Sequence, residues 1–138
     1  MKQYVDSSVI VRVVLKAGDA LPEWKTLRDA SSSVLLQVEC LRTIDRLQLT
    51  GDIKPPNAPR TYAALHDVMS KISLLKLGDD IFERAGGSFG LPLKTLDAIH
   101  LLTAITWRER INDDITFVTH DIQLAAAARA YHFPVLGA

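Results

Sequence analysis

Short apolar segments alternate along the chain with longer segments whose apolar residues recur every three or four positions. The short segments predict strands, and the longer ones, bounded by capping residues, glycine or proline, predict helices. The predicted strands cover residues 2–5, 33–35, 72–77, 116–119 and 134–136. The predicted helices cover residues 9–15, 21–28, about 36–49, 60–71, 79–85, 95–107 and 121–131. This alternation predicts an α/β fold, with a mainly parallel sheet covered by helices on both faces.

Four acidic residues occupy special positions in this pattern. Asp6 ends the first predicted strand, and Asp121 closely follows the strand at 116–119. Asp97 lies in the first turn of an almost wholly apolar helix, and Glu39 lies in a helix rich in Val and Leu. A carboxylate in apolar surroundings is costly unless it is paired or binds a metal. A cluster of such groups suits a hard divalent cation such as Mg²⁺ or Mn²⁺.

The predicted fold gives a reason for these acids to meet. In an open α/β sheet, functional residues gather outside the carboxyl ends of the strands, which is where Asp6 and Asp121 belong. The helix dipole favours a carboxylate at the position of Asp97. Cations held by such a cluster bind a phosphate and lower the pKa of a water molecule. The pattern therefore favours phosphodiester hydrolysis.

Each acid taken alone has a simpler interpretation. Asp6 is also typical of a turn or a helix cap, and Asp97 of N-terminal capping and dipole compensation. Asp121 fits a plain helix start. Glu39 precedes Arg42 by three positions and fits an ion pair on a solvated helix face. It is the four together, at strand ends and helix starts, that point to a site.

Composition narrows the class of protein. The length of 138 residues predicts a single domain, 1–138, with a substantial core. The 16 basic residues balance the 16 acidic ones, which argues against a protein that coats nucleic acid by charge alone. The single cysteine, Cys40, excludes an internal disulfide and a cysteine-rich zinc site. No signal-peptide or membrane-spanning pattern is present, so we expect a cytoplasmic protein without a membrane partner.

At four places the chain resembles one family. It is similar to the PIN-domain nucleases, and within them to the VapC-like toxins of type II toxin–antitoxin modules. The similar segments occur in the family's order and span nearly the whole chain; the third is the most diagnostic. They are Tyr4-Val5-Asp6-Ser7-Ser8-Val9, Val38-Glu39-Cys40-Leu41-Arg42, Leu96-Asp97-Ala98-Ile99-His100-Leu101 and Val118-Thr119-His120-Asp121.

The resemblance implies a three-layer α/β/α fold and a Mg²⁺- or Mn²⁺-dependent endoribonuclease. It implies that Asp6, Glu39 and Asp97 are the core acids, that Asp121 is a more variable fourth, and that Thr119 is the polar residue near it. It also implies an RNA substrate, a homodimer, and a cognate antitoxin whose C-terminal segment crosses the active groove and holds the toxin inactive.

Several other polar residues are candidates for supporting roles. Arg42 is a candidate for binding substrate phosphate, with an ion pair to Glu39 as the alternative. Ser8 and Thr119 are candidates for orienting acids, water or substrate, although helix capping explains both nearly as well. His100 lies one turn from Asp97 on an apolar helix, which favours a hydrogen-bonded core residue over a functional one.

Two other functions compete with the nuclease. A receiver-like signalling domain also uses an acid at a strand end, but it requires an acidic pair after the first strand and a lysine after a late one. Residues 6–8 and 134–138 contain neither feature. A catalytically silent PIN-like domain that only binds protein is the stronger alternative, although the intact set of four acids argues against it.

Overall fold

The computed structural model describes residues 1–16, 24–25 and 28–138, in which five strands form one sheet with helices on both faces. The strands are β1 (Lys2–Val5), β2 (Ala30–Ser33), β3 (Ser73–Leu75), β4 (Ile115–Val118) and β5 (Val135–Leu136). The helices are α1 (Ser7–Val14), α2 (Leu35–Leu49), α3 (Ala58–Met69), α4 (Asp79–Ala85), α5 (Thr95–Ile111) and α6 (Ile122–Ala130). A 3₁₀ turn, Pro55–Asn57, precedes α3.

The sheet has the strand order β3-β2-β1-β4-β5, and all four pairings are parallel. Alternate residues of the central strands point to opposite faces, so each strand contributes to two cores. Val5 and Val118 pack under α1, α2 and α3, whereas Tyr4 and Phe117 pack under α4, α5 and α6. The three-layer α/β/α prediction is confirmed.

The strand order reverses direction between β1 and β4. From β1 the chain moves outward to β2 and β3, then returns to β4 on the other side of β1 and continues to β5. The helices α1 and α6, which leave β1 and β4, lie on opposite faces of the sheet and open a crevice between them. A ligand site in this class of fold lies at such a reversal, outside the carboxyl ends of the strands. Asp6 and Asp121 follow these two neighbouring strands.

The second strand differs from its prediction. It covers Ala30–Ser33 and is fully buried, three residues before the predicted 33–35. The serines fit because small side chains allow the helices to approach a central strand closely. Ser33 Oγ then accepts a hydrogen bond from Leu35 N at 3.1 Å, so that the apolar run beginning at Val34 starts a helix instead of forming a strand.

Two other elements differ in length by three residues or more. The edge strand β3 is shorter than the predicted 72–77 because it pairs with β2 alone, over three residues. Helix α5 continues four residues beyond the predicted end at 107 and stops at Asn112, which has a left-handed backbone conformation. Its added turn is held by Arg108, which donates to Tyr131 O at 2.8 Å and lies over the ring of Phe133.

The predicted helix at 21–28 falls largely on residues 21–23 and 26–27, which lie outside the described residues. Trp24 is described, and it packs partly buried against the core formed with α1, α2 and α3. Within the described ranges, no helix combines the length and the apolar content needed to span a membrane.

Candidate active site

Asp6 lies directly after β1 and is almost fully buried, with 4% of its surface exposed. Its backbone occupies the N-cap position of α1, yet its side chain makes no capping hydrogen bond, so the capping interpretation is wrong for this carboxylate. Instead Asp6 Oδ1 accepts a hydrogen bond from Ser8 Oγ at 2.6 Å. The carboxylate is therefore buried and held by Ser8 after the end of β1.

Burial raises the pKa of Asp6 to about 6, and the negative charge of Glu39 adds to the increase. Hydrogen bonds from Ser8 and Thr119 and the nearby His100 oppose the shift without cancelling it. Since removal of water penalises the charged form, this carboxyl group tends to hold its proton towards neutral pH. A cation beside it would reverse that preference.

Two hydroxyl groups join the loop after β1 to the loop after β4. Ser8 Oγ accepts a hydrogen bond from His120 N at 2.9 Å and lies 3.5 Å from Thr119 Oγ1. Thr119 is fully buried, and its Oγ1 accepts from Asp121 N at 3.0 Å. Ser8 and Thr119 therefore fix the relative positions of Asp6 and Asp121.

Asp121 caps a helix, as its simpler interpretation predicted. Its Oδ1 accepts a hydrogen bond from Leu124 N at 2.8 Å, at the start of α6. This capping bond occupies one carboxylate oxygen and holds the side chain in one orientation.

Asp97 lies in the first turn of α5 and is half-buried. Burial raises the pKa of this carboxyl group, and the negative charges of Asp121 and Glu39 raise it further, against the opposing charges of His100 and Lys94. Asp97 therefore lies within electrostatic reach of Asp121 and Glu39, as Asp6 does of Glu39. The fold thus brings the four predicted acids, which are far apart in sequence, to one edge of the sheet.

The Glu39 side chain contacts residues of two other helices, α5 and α1. Its Oε1 lies 2.5 Å from His100 Nε2, and its Oε2 accepts a hydrogen bond from Ser7 Oγ at 3.3 Å. The alternative in which Glu39 pairs with Arg42 on a solvated face is wrong. Arg42 forms its ion pair with Asp45, at 3.2 Å on the same exposed side of α2.

His100 is the site residue that sequence reasoning missed. The prediction of a buried, hydrogen-bonded histidine is confirmed, since its side chain is 1% exposed, but its partners were not foreseen. Nδ1 lies 2.7 Å from the Tyr4 hydroxyl, and Nε2 contacts Glu39. Burial alone would lower the pKa of His100, but the hydrogen bond and charge of Glu39 raise it above its usual value. The available signal was its spacing of one helical turn from Asp97.

Within the described residues, no three His, Cys, Asp or Glu side chains are arranged so that they could hold one metal ion. The donor chemistry nevertheless fits a hard cation, because the groups are carboxylates and two of them are disfavoured as free anions. Mg²⁺ in particular keeps several waters and commonly binds through one or two carboxylates and substrate phosphates, without a complete protein cage. The site therefore suits such an ion without being a preformed cage.

A groove of about 270 Å³ lies beside Glu39, between α2 and the start of α5. Its walls include Ser7, Leu35, Arg42 and Arg46. Val38 and Leu96 also line it, and both are exposed, at 57% and 45%. An apolar groove thus adjoins the acids and has two cationic side chains in its wall.

Cys40 follows Glu39 but takes no part in the site. It is a free thiol buried in the core under α1, α2 and α3. Burial, with the charges of Glu39 and Asp6, raises the pKa of its thiol to about 12. Cys40 therefore packs the core and does not act as a nucleophile, since a thiol of this kind is a poor one.

Comparison with known proteins supplies the family. No family model matches the chain. A curated protein of Mycobacterium tuberculosis, Ribonuclease VapC46, is 30% identical to it, and the alignment covers 96% of this chain and 95% of that protein. The chain therefore belongs to the family of VapC ribonucleases.

Proposed function

We propose that this protein is a metal-dependent endoribonuclease that hydrolyses RNA phosphodiester bonds, and that it acts as the toxin of a toxin–antitoxin pair. The observation that carries the proposal is the 30% identity to Ribonuclease VapC46 over 96% of the chain. The buried, charge-coupled carboxylates at the reversal of strand order support it independently. A domain that only bound protein would gain nothing from the burial of Asp6.

Asp6, Asp97 and Asp121 are the residues that would hold Mg²⁺ or Mn²⁺, directly or through water, with Glu39 completing the set. When bound, the ion would supply positive charge against the scissile phosphate and acidify a water molecule. Glu39 lies on the groove side of the site, where it would orient the hydrolytic water. Its half-buried position keeps its carboxylate in one place, as orientation requires.

Ser8 and Thr119 act in this proposal by orienting Asp6 and Asp121. Thr119 is fully buried, so its hydroxyl has no surface to offer to RNA. Arg42 is the candidate for the substrate phosphate. Its side chain is 73% exposed, it lines the groove beside Glu39, and its ion pair with Asp45 is of the exposed kind that separates easily.

The apolar groove beside Glu39 supports a protein partner as well. An antitoxin segment with apolar side chains would cover Val38 and Leu96, both of which are exposed in the isolated chain. Such a segment would also block the approach of RNA to Arg42. The homodimer stays a prediction.

The test is cleavage of an RNA pool by purified, antitoxin-free protein with Mg²⁺ or Mn²⁺, and with EDTA. We expect discrete fragments that need the metal and disappear in Asp97→Asn, because this change removes a site charge and keeps the side-chain shape. Asp113→Asn is the matched control. Asp113 follows the same helix, α5, but is exposed; it pairs with Lys2 at 3.7 Å and accepts a hydrogen bond from Asp114 N, so cleavage should be unchanged.

Two outcomes would contradict the proposal. Absence of cleavage by folded protein with either metal would favour the protein-binding alternative, especially if the protein still bound a partner tightly. Cleavage that survives both Asp97→Asn and EDTA would mean that the acids are not the active centre.

A further inference from the structure

A buried chain of hydrogen bonds runs from the centre of the sheet to Glu39. The Tyr4 hydroxyl lies 2.7 Å from His100 Nδ1, and His100 Nε2 lies 2.5 Å from Glu39 Oε1. Tyr4 is fully buried and His100 is 1% exposed, whereas Glu39 is 15% exposed and reaches the groove. The chain therefore starts in the core and ends at the solvent side of the site.

The direction of the last hydrogen bond follows from the chemistry of the groups. An ionised carboxylate only accepts hydrogen bonds, so His100 Nε2 must carry a hydrogen and donate it to Glu39 Oε1. At Nδ1, a neutral imidazole accepts the hydroxyl hydrogen of Tyr4, and the imidazolium that Glu39 favours donates to the Tyr4 oxygen; either form keeps the bond from Nε2 to Glu39. One carboxylate oxygen of Glu39 is thus committed to His100, and Oε2, with its weaker bond to Ser7 at 3.3 Å, is left for the groove.

The chain of hydrogen bonds also links the elements that bear the acids. Tyr4 lies on β1, two residues before Asp6, and His100 lies on α5, three residues after Asp97. Glu39 lies on α2, on the other side of the crevice. A ring contact holds Tyr4 in place, since Tyr4 stacks on Phe117 of β4 with ring centroids 5.2 Å apart.

From this geometry we propose that His100 and Tyr4 are positioning residues that hold the Glu39 carboxylate in its working orientation. The proposal rests on the proposed function, because it assigns Glu39 to the active centre. Groups that hydrogen-bond to metal-site side chains typically change metal affinity or activity when they are removed. A purely structural network would affect folding alone.

The test compares His100→Leu, His100→Gln and Tyr4→Phe with the wild type. Three quantities are measured: Mn²⁺ affinity by isothermal titration calorimetry, kcat and KM for RNA cleavage, and the unfolding temperature in EDTA. We expect His100→Leu to weaken Mn²⁺ binding and to lower kcat by about 10- to 100-fold. KM for RNA should change little, because His100 does not face the groove.

The conservative variants keep the test informative if His100→Leu folds poorly. The Gln amide has an N–H near the position of Nε2, so His100→Gln should recover much of the loss. Tyr4→Phe removes only a hydroxyl that never touches Glu39, and it should give a smaller loss in the same direction. Leu101→Ala is the control, since it opens the core next to His100 and removes no group of the hydrogen-bond chain. It should lower the unfolding temperature and leave Mn²⁺ affinity unchanged.

Normal Mn²⁺ affinity and normal kcat in His100→Leu and Tyr4→Phe would overturn the positioning role, and so would a loss in His100→Gln as large as the loss in His100→Leu. The role would also be overturned if Leu101→Ala lowered Mn²⁺ affinity and kcat as much as His100→Leu does. The effect would then be one of stability. If the wild type neither binds Mn²⁺ nor cleaves RNA, the proposed function fails and the positioning role falls with it.

Discussion

Replacing Asp6 by Asn should stabilise the metal-free protein at neutral and alkaline pH while removing its activity. The Asn amide oxygen can still accept the hydrogen bond from Ser8, so the local geometry is kept. What disappears is a buried negative charge close to Glu39. Active sites commonly keep such unfavourable groups because function requires them.

The magnitude follows from the change in pKa. The carboxyl pKa is 3.8 in the unfolded reference and about 6 in the folded protein. Between these values the native state holds a proton that the unfolded state has released, so stability falls as pH rises through this window. At about 1.4 kcal/mol per pH unit, the full loss above the window is about 3 kcal/mol. That is a large part of the stability of an ordinary domain, about 5–15 kcal/mol.

Urea denaturation in EDTA, followed by circular dichroism, measures the difference between the two proteins. Asp6→Asn should be more stable than wild type by up to about 3 kcal/mol at about pH 8, and about equal to it below about pH 4. Mg²⁺ at about 1,000 times its Kd should reverse the order at high pH, since a ligand at that concentration stabilises by about 4.1 kcal/mol and the variant binds it poorly.

The control is Asp67→Asn, an exposed residue that pairs with Lys71 at 3.2 Å on α3. Its effect should stay below about 1 kcal/mol and show no transition between these pH values. A variant at position 6 that is no more stable than wild type at high pH would refute the reasoning. So would a difference that does not depend on pH, since it would not arise from a titrating carboxyl group.

The remaining predictions concern the loop after β4. Asp121→Asn should keep the helix cap and the stability of the wild type, whereas Asp121→Ala should lower the free energy of unfolding by about 1 kcal/mol in thermal unfolding. Loss of RNA cleavage in both variants would separate the active-site role from capping. Full cleavage by Asp121→Asn would confine this residue to capping. Gly137→Ala should cost about 1–3 kcal/mol, because Gly137 has a φ of +100° and a Cβ there would lie 2.7 Å from Thr119 O. Cleavage should fall as well, since Thr119 holds Asp121; an unfolding temperature equal to that of wild type would show that this contact carries no strain.

Local chemistry made much of this fold predictable. Helix α4 was predicted with its observed bounds because Gly78 and the glycines after Ala85 enclose a short helical pattern. Strand β1 was equally clear, since an apolar run ends at Asp6 and a helix starts at once. Strand β2 was misplaced because its buried serines have no apolar signal, and only the layers packed on it explain them.

The sequence by itself determined the alternation of strands and helices, and the positions of Asp6 and Asp121 after strands, because these depend on local periodicity and turn chemistry. Only the tertiary structure decided that β1 and β4 are neighbours, and therefore that these two acids share one crevice. It also decided that Glu39 meets His100, 61 residues away, while Arg42 turns to Asp45. Such pairings depend on how helices pack across the sheet, and no local propensity encodes the partner of a buried charge.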